Sequence, residues 1–321
     1  MNIPTYVINL PESTDRLAKF MTQKDIIKGN IHVIEAINGK KLSSDEIQNN
    51  TTKICNAFCT KGMIGCWMSH RKTWQTIVDN NESYAVVMED DCKVSDDYAE
   101  TLQNIINEIN EKNLDIDFCY LGCFGSCSYK TPDSLFTKIQ TQFLSKINNQ
   151  NYILDTMFVP KAPVGFQCYL LSNKGARKLL KYLNKVEYHV DVSFLRVSKY
   201  FNVYASKNKI GLQESTANNS ILTGSSFPNL LNSLLDSFGI MDENKISYSY
   251  YLSTPLAEFL GTHITVYTII LLLLLLIPRG FALVSFLTFV ELSLERELNA
   301  KSIPWVVITI FGYTLKYYKM I

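Results

Sequence analysis

The sequence predicts an α/β domain carrying a C-terminal hydrophobic tail that enters a membrane, on three observations. Short apolar runs of strand length alternate with segments of helical periodicity through roughly the first 250 residues, the pattern of a largely parallel sheet. One run, Tyr84-Ala85-Val86-Val87-Met88, is apolar throughout, as expected of a strand buried on both faces. From Ile264 to Val290 the chain is apolar with Arg279 as its single charge, and about 20 apolar residues are enough to cross a bilayer. Residues 1–250 are therefore assigned to the globular domain and residues 251–321 to the tail.

In chain order, Thr5–Leu10 reads as a buried strand ended by Pro11. Ser13-Thr14-Asp15-Arg16 then opens an amphipathic helix carrying Leu17 and Phe20. Ile31–Ile37 is a second strand, closed by Asn38-Gly39. Between Gly65 and Val78, the residues Trp67, Met68, Trp74, Ile77 and Val78 fall at near-helical spacing. After the Tyr84–Met88 strand come a helix over 95–109, short strands at Phe118–Leu121 and Gly165–Leu171, and a helix through Ala176, Leu179, Leu180 and Leu183. Residues 214–250, rich in Ser and Asn, read as a loop region before the tail.

Composition narrows the function classes. Lys and Arg number 31 against 30 Asp and Glu, a formal charge of +1, which excludes a nucleic-acid binder working through a general basic surface. Hydrophobic residues at 47% and aromatics at 12% exclude a disordered chain. None of the 8 cysteines forms a Cys-x-x-Cys pair. Cys119, Cys123 and Cys127 recur every four residues and read as reduced structural thiols at a strand end, with a metal cluster as the alternative.

In the tail, the consecutive leucines Leu271–Leu276 argue against a buried core hairpin, and Pro278-Arg279-Gly280 marks a kink or interfacial break. Ile303–Leu315 is short for a span and would lie in the interface or complete a hairpin. The chain opens without the basic and apolar segments of a signal peptide. The expectation is a membrane-associated protein, with membrane lipid as a partner and its globular domain in the cytosol. Charges from Glu291 to Lys301, with Lys316 and Lys319, leave the orientation of the tail open.

The signal that carries chemistry is the end of the apolar strand, Glu89-Asp90-Asp91. Three carboxylates there are costly unless positive charge compensates them, and in open α/β sheets ligands sit beyond the carboxyl ends of the strands. Hard oxygen ligands suit Mg²⁺ or Mn²⁺, which would hold a diphosphate and neutralise it as it leaves. The alternative on these residues alone is a solvated acidic turn or a helix cap.

Further blocks accompany the triplet in order across about residues 3–216: YVINLPESTDR, IEAINGKKL, GMIGCWMSHRKTWQTIV leading into YAVVMEDDCKV, DFCYLG, YLLSNKGARKLL followed by HVDVSFLR, and the Gln of IGLQES. With them the chain resembles glycosyltransferase family 25, the group containing bacterial lipooligosaccharide galactosyltransferases and collagen galactosyltransferase domains. The tail lies outside the resemblance, and Phe124–Pro160 has no counterpart, which leaves the acceptor open.

The resemblance implies a GT-A type fold and inverting transfer of galactose or glucose from a UDP-sugar, with a divalent cation, usually Mn²⁺ or else Mg²⁺. The acceptor would be a glycan, glycolipid or glycoprotein, as in lipopolysaccharide biosynthesis. It makes the triplet the family's variant of the Asp-x-Asp motif: Glu89 and Asp91 flank metal and diphosphate, Asp91 as the foremost ligand, and Asp90 meets ribose or sugar hydroxyls. Asp191 matches the family's acidic position after the Gly-Ala helix and is the candidate base for the acceptor hydroxyl, against a capping or ion-paired Asp. His189 beside it is a metal ligand or a packed side chain. Gly65 would allow close backbone approach, and Ser69, His70 and Arg71 would meet the donor diphosphate near a helix start, against a packing helix with a solvated Arg71. Asn9 and Arg16 frame the first strand-to-helix turn near the nucleotide, Asn38-Gly39 forms a turn beside it, and Gln213 orients substrate. The alternatives for these five are ordinary turn, surface and strand-end roles. A membrane scaffold that binds sugar or nucleotide without turnover is the rival function, and retention of all three acids argues against it.

Overall fold

The computed structural model describes residues 3–130, 138, 141–143, 145–147, 152–213, 226–241, 247–295 and 297–318. Residues 214–225 and 242–246 of the expected loop region, and Lys319, lie outside the described residues. The chain divides into two compact units, one of residues 1–52 and 63–213, the other of residues 53–62 and 214–321.

The strands of the first unit are β1 (Thr5–Asn9), β2 (Ile31–Glu35), β3 (Tyr84–Glu89), β4 (Cys92–Val94), β5 (Phe118–Ser126), β6 (Met157–Phe158), β7 (Ala162–Ser172), β8 (Val203–Ser206) and β9 (Gly211–Gln213). Its principal helices are α1 (Thr14–Met21), α2 (Lys61–Asp79), α3 (Tyr98–Glu111), α4 (Asn173–Tyr182) and α5 (Val190–Val197). Seven strands form one sheet in the order β2-β1-β3-β7-β5-β8-β6, and β4 pairs separately with β9. The sheet is largely parallel, as expected: β2, β1, β3, β5 and β8 run one way, and only β7 and β6 are reversed. β1 runs parallel to β2 and β3, and β5 to β8, while β7 lies antiparallel between β3 and β5 and β6 antiparallel to β8.

Period-2 alternation sorts the core into two faces. Val86, Met88, Cys119, Leu121, Cys168 and Leu170 share one face with Ile105, Ile106 and Ile109 of α3. On the other face Phe118 stacks on Tyr169 at 4.6 Å between ring centroids, and the Tyr169 hydroxyl accepts from Trp74 Nε1 of α2 at 2.8 Å. Glu89 has the parity of Ala85 and Val87, so it emerges on the α2 side. Register completes the arrangement. Ile8 lies opposite Glu89, Met88 opposite Cys168 and Cys92 opposite Gln213, which gathers the ends of four strands around the acidic turn.

The second unit contains α6 (Asn229–Ser237), α7 (Tyr248–Ser253), α8 (Val266–Leu274), α9 (Gly280–Leu294), α10 (Ser302–Tyr317) and a small hairpin of β10 (Ala257–Phe259) and β11 (Thr262–Ile264). Here the expectation of a transmembrane tail is corrected: no helix among the described residues is long and apolar enough to cross a membrane. At 1.5 Å per residue, α8, α9 and α10 extend about 14, 22 and 24 Å, against roughly 30 Å of hydrocarbon. The break falls at Arg279, which is left-handed at φ 63°. A Cβ on the next residue, Gly280, would come within 1.6 Å of the Leu274 carbonyl oxygen, so the tight return requires glycine. The three helices bury Tyr267, Leu271, Leu275, Val284, Trp305 and Ile308 with Phe227. Buried Glu291 accepts from Leu230 N and Leu231 N at 2.9 and 2.8 Å, satisfying the open amides of α6.

In the first unit, Glu108 of α3 pins the segment leading into β6. It is buried, accepts from Asp155 N and Thr156 N at 2.7 and 2.8 Å, and pairs with Lys112 at 2.7 Å. Burial alone would raise its pKa, but Lys112, Thr156 and the two amides outweigh it and bring the carboxyl down to about 2. An acid depressed in the folded state contributes stability that is complete above its unfolded value of 4.5 and is lost as pH falls towards 2. Glu108→Gln should cost about 2 kcal/mol at pH 7, with the difference from the parent vanishing near pH 2, as read from urea unfolding at a series of pH values.

Candidate active site

The acidic turn lies at the carboxyl end of β3 with its charges already compensated from within the unit. Arg16, at the start of α1, forms an ion pair with Asp90 and reaches Asp91 Oδ2 at 3.0 Å through the same Nη2. Asn9 Nδ2 donates to the other Asp90 oxygen at 2.7 Å, and Gln213 Nε2 donates to Asp91 Oδ2 at 2.9 Å. Burial works against the charge on Arg16, yet Asp91 and Asp90 outweigh it and hold the guanidinium more firmly protonated. The Asp90 carboxyl is raised by burial, with Arg16 and Asn9 opposing. Asn9, Arg16 and Gln213 therefore meet the acids themselves. Asp91 Oδ1 is different: it is buried and has no hydrogen-bond partner.

The α2 wall corrects one expectation. Ser69, His70 and Arg71 are in mid-helix, because α2 begins at Lys61, so their amides are committed within the helix. Ser69 is buried; its hydroxyl accepts from Ile37 N at 2.8 Å and donates to Gly65 O at 2.7 Å, a pin between α2 and the turn after β2. His70 is also buried, with Nδ1 at 3.0 Å from the Tyr169 hydroxyl and Nε2 at 3.1 Å from Glu89 Oε1. Burial pushes the Glu89 carboxyl up, His70 works against this and Asp91 adds to it. Arg71 has no ion-pair partner among the described residues, and its Nε is buried and unbonded. Gly65 acts as its glycine implies, since a Cβ there would stand 2.5 Å from Ile37 O and 2.6 Å from Gly39 N.

That close approach shapes a cleft of about 260 Å³ beyond the ends of β1 and β2, lined by Glu12, Asn38, Lys41 and Lys72 among others. Asn38 donates to Glu12 and its Oδ1 accepts from Lys40 N at 3.0 Å, while Gly39 is buried. Asp191 stands in the first turn of α5. Its Oδ2 accepts from Gly165 N at 2.9 Å and its Oδ1 from Val192 N at 2.8 Å, which ties α5 to β7. Cys66 connects the two regions: its thiol is pushed well up by burial, then by the charges of Glu89, Asp191 and Asp91. Both acids expected to be catalytic thus lie within electrostatic reach of one side chain.

His189 precedes α5 with its ring edge-on to Tyr188 and joins no ligand group among the described residues. The cysteine expectation is also corrected. A tight turn, Cys127 N to Gly125 O at 2.8 Å, brings Cys127 back to Cys123 as a disulfide, Cys55 pairs with Cys59, and Cys119 is a buried free thiol. Three residues of the site escaped the sequence reading. Cys66 and His70 are separated by four, the spacing that places two side chains on one helical face, and that signal was present. Tyr169 and the buried Gln167, whose amide has no partner at either end, join the site only through pairing of β7 with β3 and carry no local signal.

Gly65→Ala should gain up to about 1 kcal/mol of helix propensity but force back the 37–39 turn, and overpacking of this kind costs about 1–3 kcal/mol. The expected net result is a lower thermal midpoint. Ser69→Ala, which strips the Ile37 amide of its acceptor, should also destabilise, by about 1–2 kcal/mol in urea unfolding.

Comparison with known proteins identifies the family. The profile described as Glycosyltransferase family 25 (LPS biosynthesis protein) matches residues 2–194, more than half of the chain. Procollagen galactosyltransferase 1 of Danio rerio is 28% identical over 125 residues, covering 36% of this chain and 21% of its own. Procollagen galactosyltransferase 2 of Homo sapiens is 23% identical over 128 residues, covering 36% and 20%. The Rattus norvegicus protein named Probable inactive glycosyltransferase 25 family member 3 is 25% identical over 125 residues, covering 36% and 22%. The chain thus spans about one fifth of the length of these relatives. A solved structure, that of a glycosyltransferase involved in glycosylation of the PBCV-1 major capsid, covers 57% of this chain and 66% of its own at TM-score 0.27 and 7% identity, too loose a likeness to bear on the fold. The acidic strand end, the glycine-tight α2 and the ordered blocks all fall within the matched residues or close beside them, and the chain belongs to glycosyltransferase family 25.

Proposed function

We propose that the first unit is a metal-dependent, inverting glycosyltransferase of GT-A type, moving a hexose from a UDP-sugar to a glycan, glycolipid or glycoprotein acceptor. The observation that carries this is Asp91: Gln213 and Arg16 fix one oxygen, and the other is buried without a partner. An oriented carboxylate with a free lone pair fits a hard divalent cation, so Asp91 with Glu89 would hold Mn²⁺ or Mg²⁺. The ion would supply Lewis acidity to the departing diphosphate. The names of the relatives favour galactose over glucose.

The chain's own residues account for the other roles. The cleft bounded by Asn38, Lys41 and Lys72 takes the nucleotide, and the unpaired Arg71 is the cation offered to the diphosphate. Each Asp191 oxygen has one lone pair beyond its backbone bond, so the carboxylate can accept the acceptor's hydroxyl proton as that oxygen attacks the anomeric carbon and UDP departs. Asp90, with Asn9 and Arg16 on its oxygens, acts by holding the turn. The last point also favours the rival, a sugar- or nucleotide-binding scaffold, because it leaves fewer free acids than the sequence shows.

For location, we propose a membrane surface. Leu273, Leu276, Phe286 and Phe289 are 58%, 74%, 63% and 72% exposed, and short apolar helices suit the interface where they cannot span. Liposome flotation of the full chain should be lost in Leu276→Asp/Phe289→Asp; flotation unchanged by these charges would refute it.

Asp91→Asn should reduce turnover more than about 100-fold, and UDP-galactose hydrolysis should cease on chelation and return with Mn²⁺. Asp191→Asn should lower kcat with little change in donor affinity. Nucleotide or sugar binding without hydrolysis under every divalent metal would favour the scaffold instead.

A further inference from the structure

We propose that Cys66, His70 and Glu89 form a binding site for a divalent cation of the zinc class, next to the hard-oxygen position at Asp91 and distinct from it in chemistry. One ligand atom from each residue lies within 4.8 Å of the others. A tetrahedral ion with bonds of about 2.0–2.3 Å needs ligand–ligand edges of roughly 3.3–3.8 Å. His70 Nε2 and Glu89 Oε1, at 3.1 Å, are already that close, and the thiol needs a shift of about an ångström at most, within reach of a χ1 adjustment. Thiolate, imidazole and carboxylate together select zinc-like ions over Mg²⁺. Three protein ligands leave a fourth position open to water or a substrate oxygen.

The surroundings prepare the histidine for this role. Trp74 Nε1 donates to the Tyr169 oxygen at 2.8 Å, and that hydroxyl lies 3.0 Å from His70 Nδ1, where it donates to the bare nitrogen of one tautomer or accepts from Nδ1–H of the other. The pairing holds the ring with Nε2 towards Glu89, and in its Nδ1–H form the imidazole presents a lone pair there, the orientation a metal ligand needs. Phe166 stands edge-on to the imidazole at 5.6 Å and helps exclude water. On binding, the imidazole carries its one proton on Nδ1, with the Tyr169 oxygen as acceptor, the Nε2 lone pair and the Glu89 carboxylate turn to the cation, and the thiol proton leaves to solvent. The site shares Glu89 with the hard-cation position proposed above, but binding here requires neither a nucleotide nor turnover, so its test fails or succeeds apart from that function.

The test uses the full chain, freed of metal and without added reductant, titrated with Co²⁺. The expected result is a near-ultraviolet thiolate-to-cobalt band saturating at one equivalent, with intense visible bands of tetrahedral Co²⁺. Cys66→Ser should abolish the near-ultraviolet band, and Tyr169→Phe should weaken Co²⁺ affinity about 10–100-fold. A second measurement needs no variant. Stoichiometric Zn²⁺ should slow alkylation of Cys66 by iodoacetamide at least about 10-fold, read from the peptide mass, while Mg²⁺ should not. The proposal is overturned if no thiolate band forms, if the band persists in Cys66→Ser, or if Zn²⁺ leaves the alkylation rate unchanged.

Discussion

The site depends on the bridge from Arg16 to Asp90 and Asp91. Three acids in succession at the end of a strand whose interior is fully buried would repel one another and resist desolvation. A single guanidinium, fixed where β1 passes into α1, answers two of them. Arg suits this better than Lys because its weakly hydrated guanidinium stays charged when half-buried, and here one Nη2 reaches both carboxylates. With Asp90 consumed and one Asp91 oxygen fixed, the remaining Asp91 oxygen is aimed rather than solvated. A carboxylate that must bind an ion without first reorganising needs such placement.

The second constraint is the approach of α2 to the turn after β2. Gly65 removes the Cβ that would strike Ile37 and Gly39, and Ser69, one helical turn later, binds the Ile37 amide. The two contacts fix the height of α2 over the sheet. That height brings His70 to hydrogen-bonding distance of Glu89. The helix thus acts through packing: its side chains, and not its amino-terminal amides, face the acids.

Much of this was legible in the sequence. The apolar run of β3 with its acidic end and the α2 periodicity follow from residue pattern, since burial on both faces and helical spacing leave direct marks, whereas Asp191 was singled out through the family resemblance. The position of Ser69, His70 and Arg71 within the helix was not legible. Gly65 looks like punctuation in a sequence, whereas here it is a packing residue in an unbroken helix. The tail misled for a related reason. Six leucines give the hydropathy of a span, but the left-handed Arg279 and the steric need at Gly280 reverse the chain before a bilayer is crossed, and Leu271 and Leu275 turn into a small core. Tyr169 and Gln167 reach the site through pairing of strands about 80 residues apart, which no local pattern encodes.

Glu89 is where the two cation chemistries meet. It hydrogen-bonds His70 on one side and lies two residues from Asp91 on the other, so one carboxylate serves a soft pair and a hard partner. A zinc-class ion drawn towards Cys66 would engage Glu89 from the α2 side and leave Asp91 with its neighbours Arg16 and Gln213. A hard ion drawn towards Asp91 would gain nothing from a thiol or an imidazole. Occupancy of the two positions therefore competes for one carboxylate. The balance is set by ligand softness, and the network from Trp74 through Tyr169 to His70 biases it, because that network holds the ring with Nε2 towards Glu89.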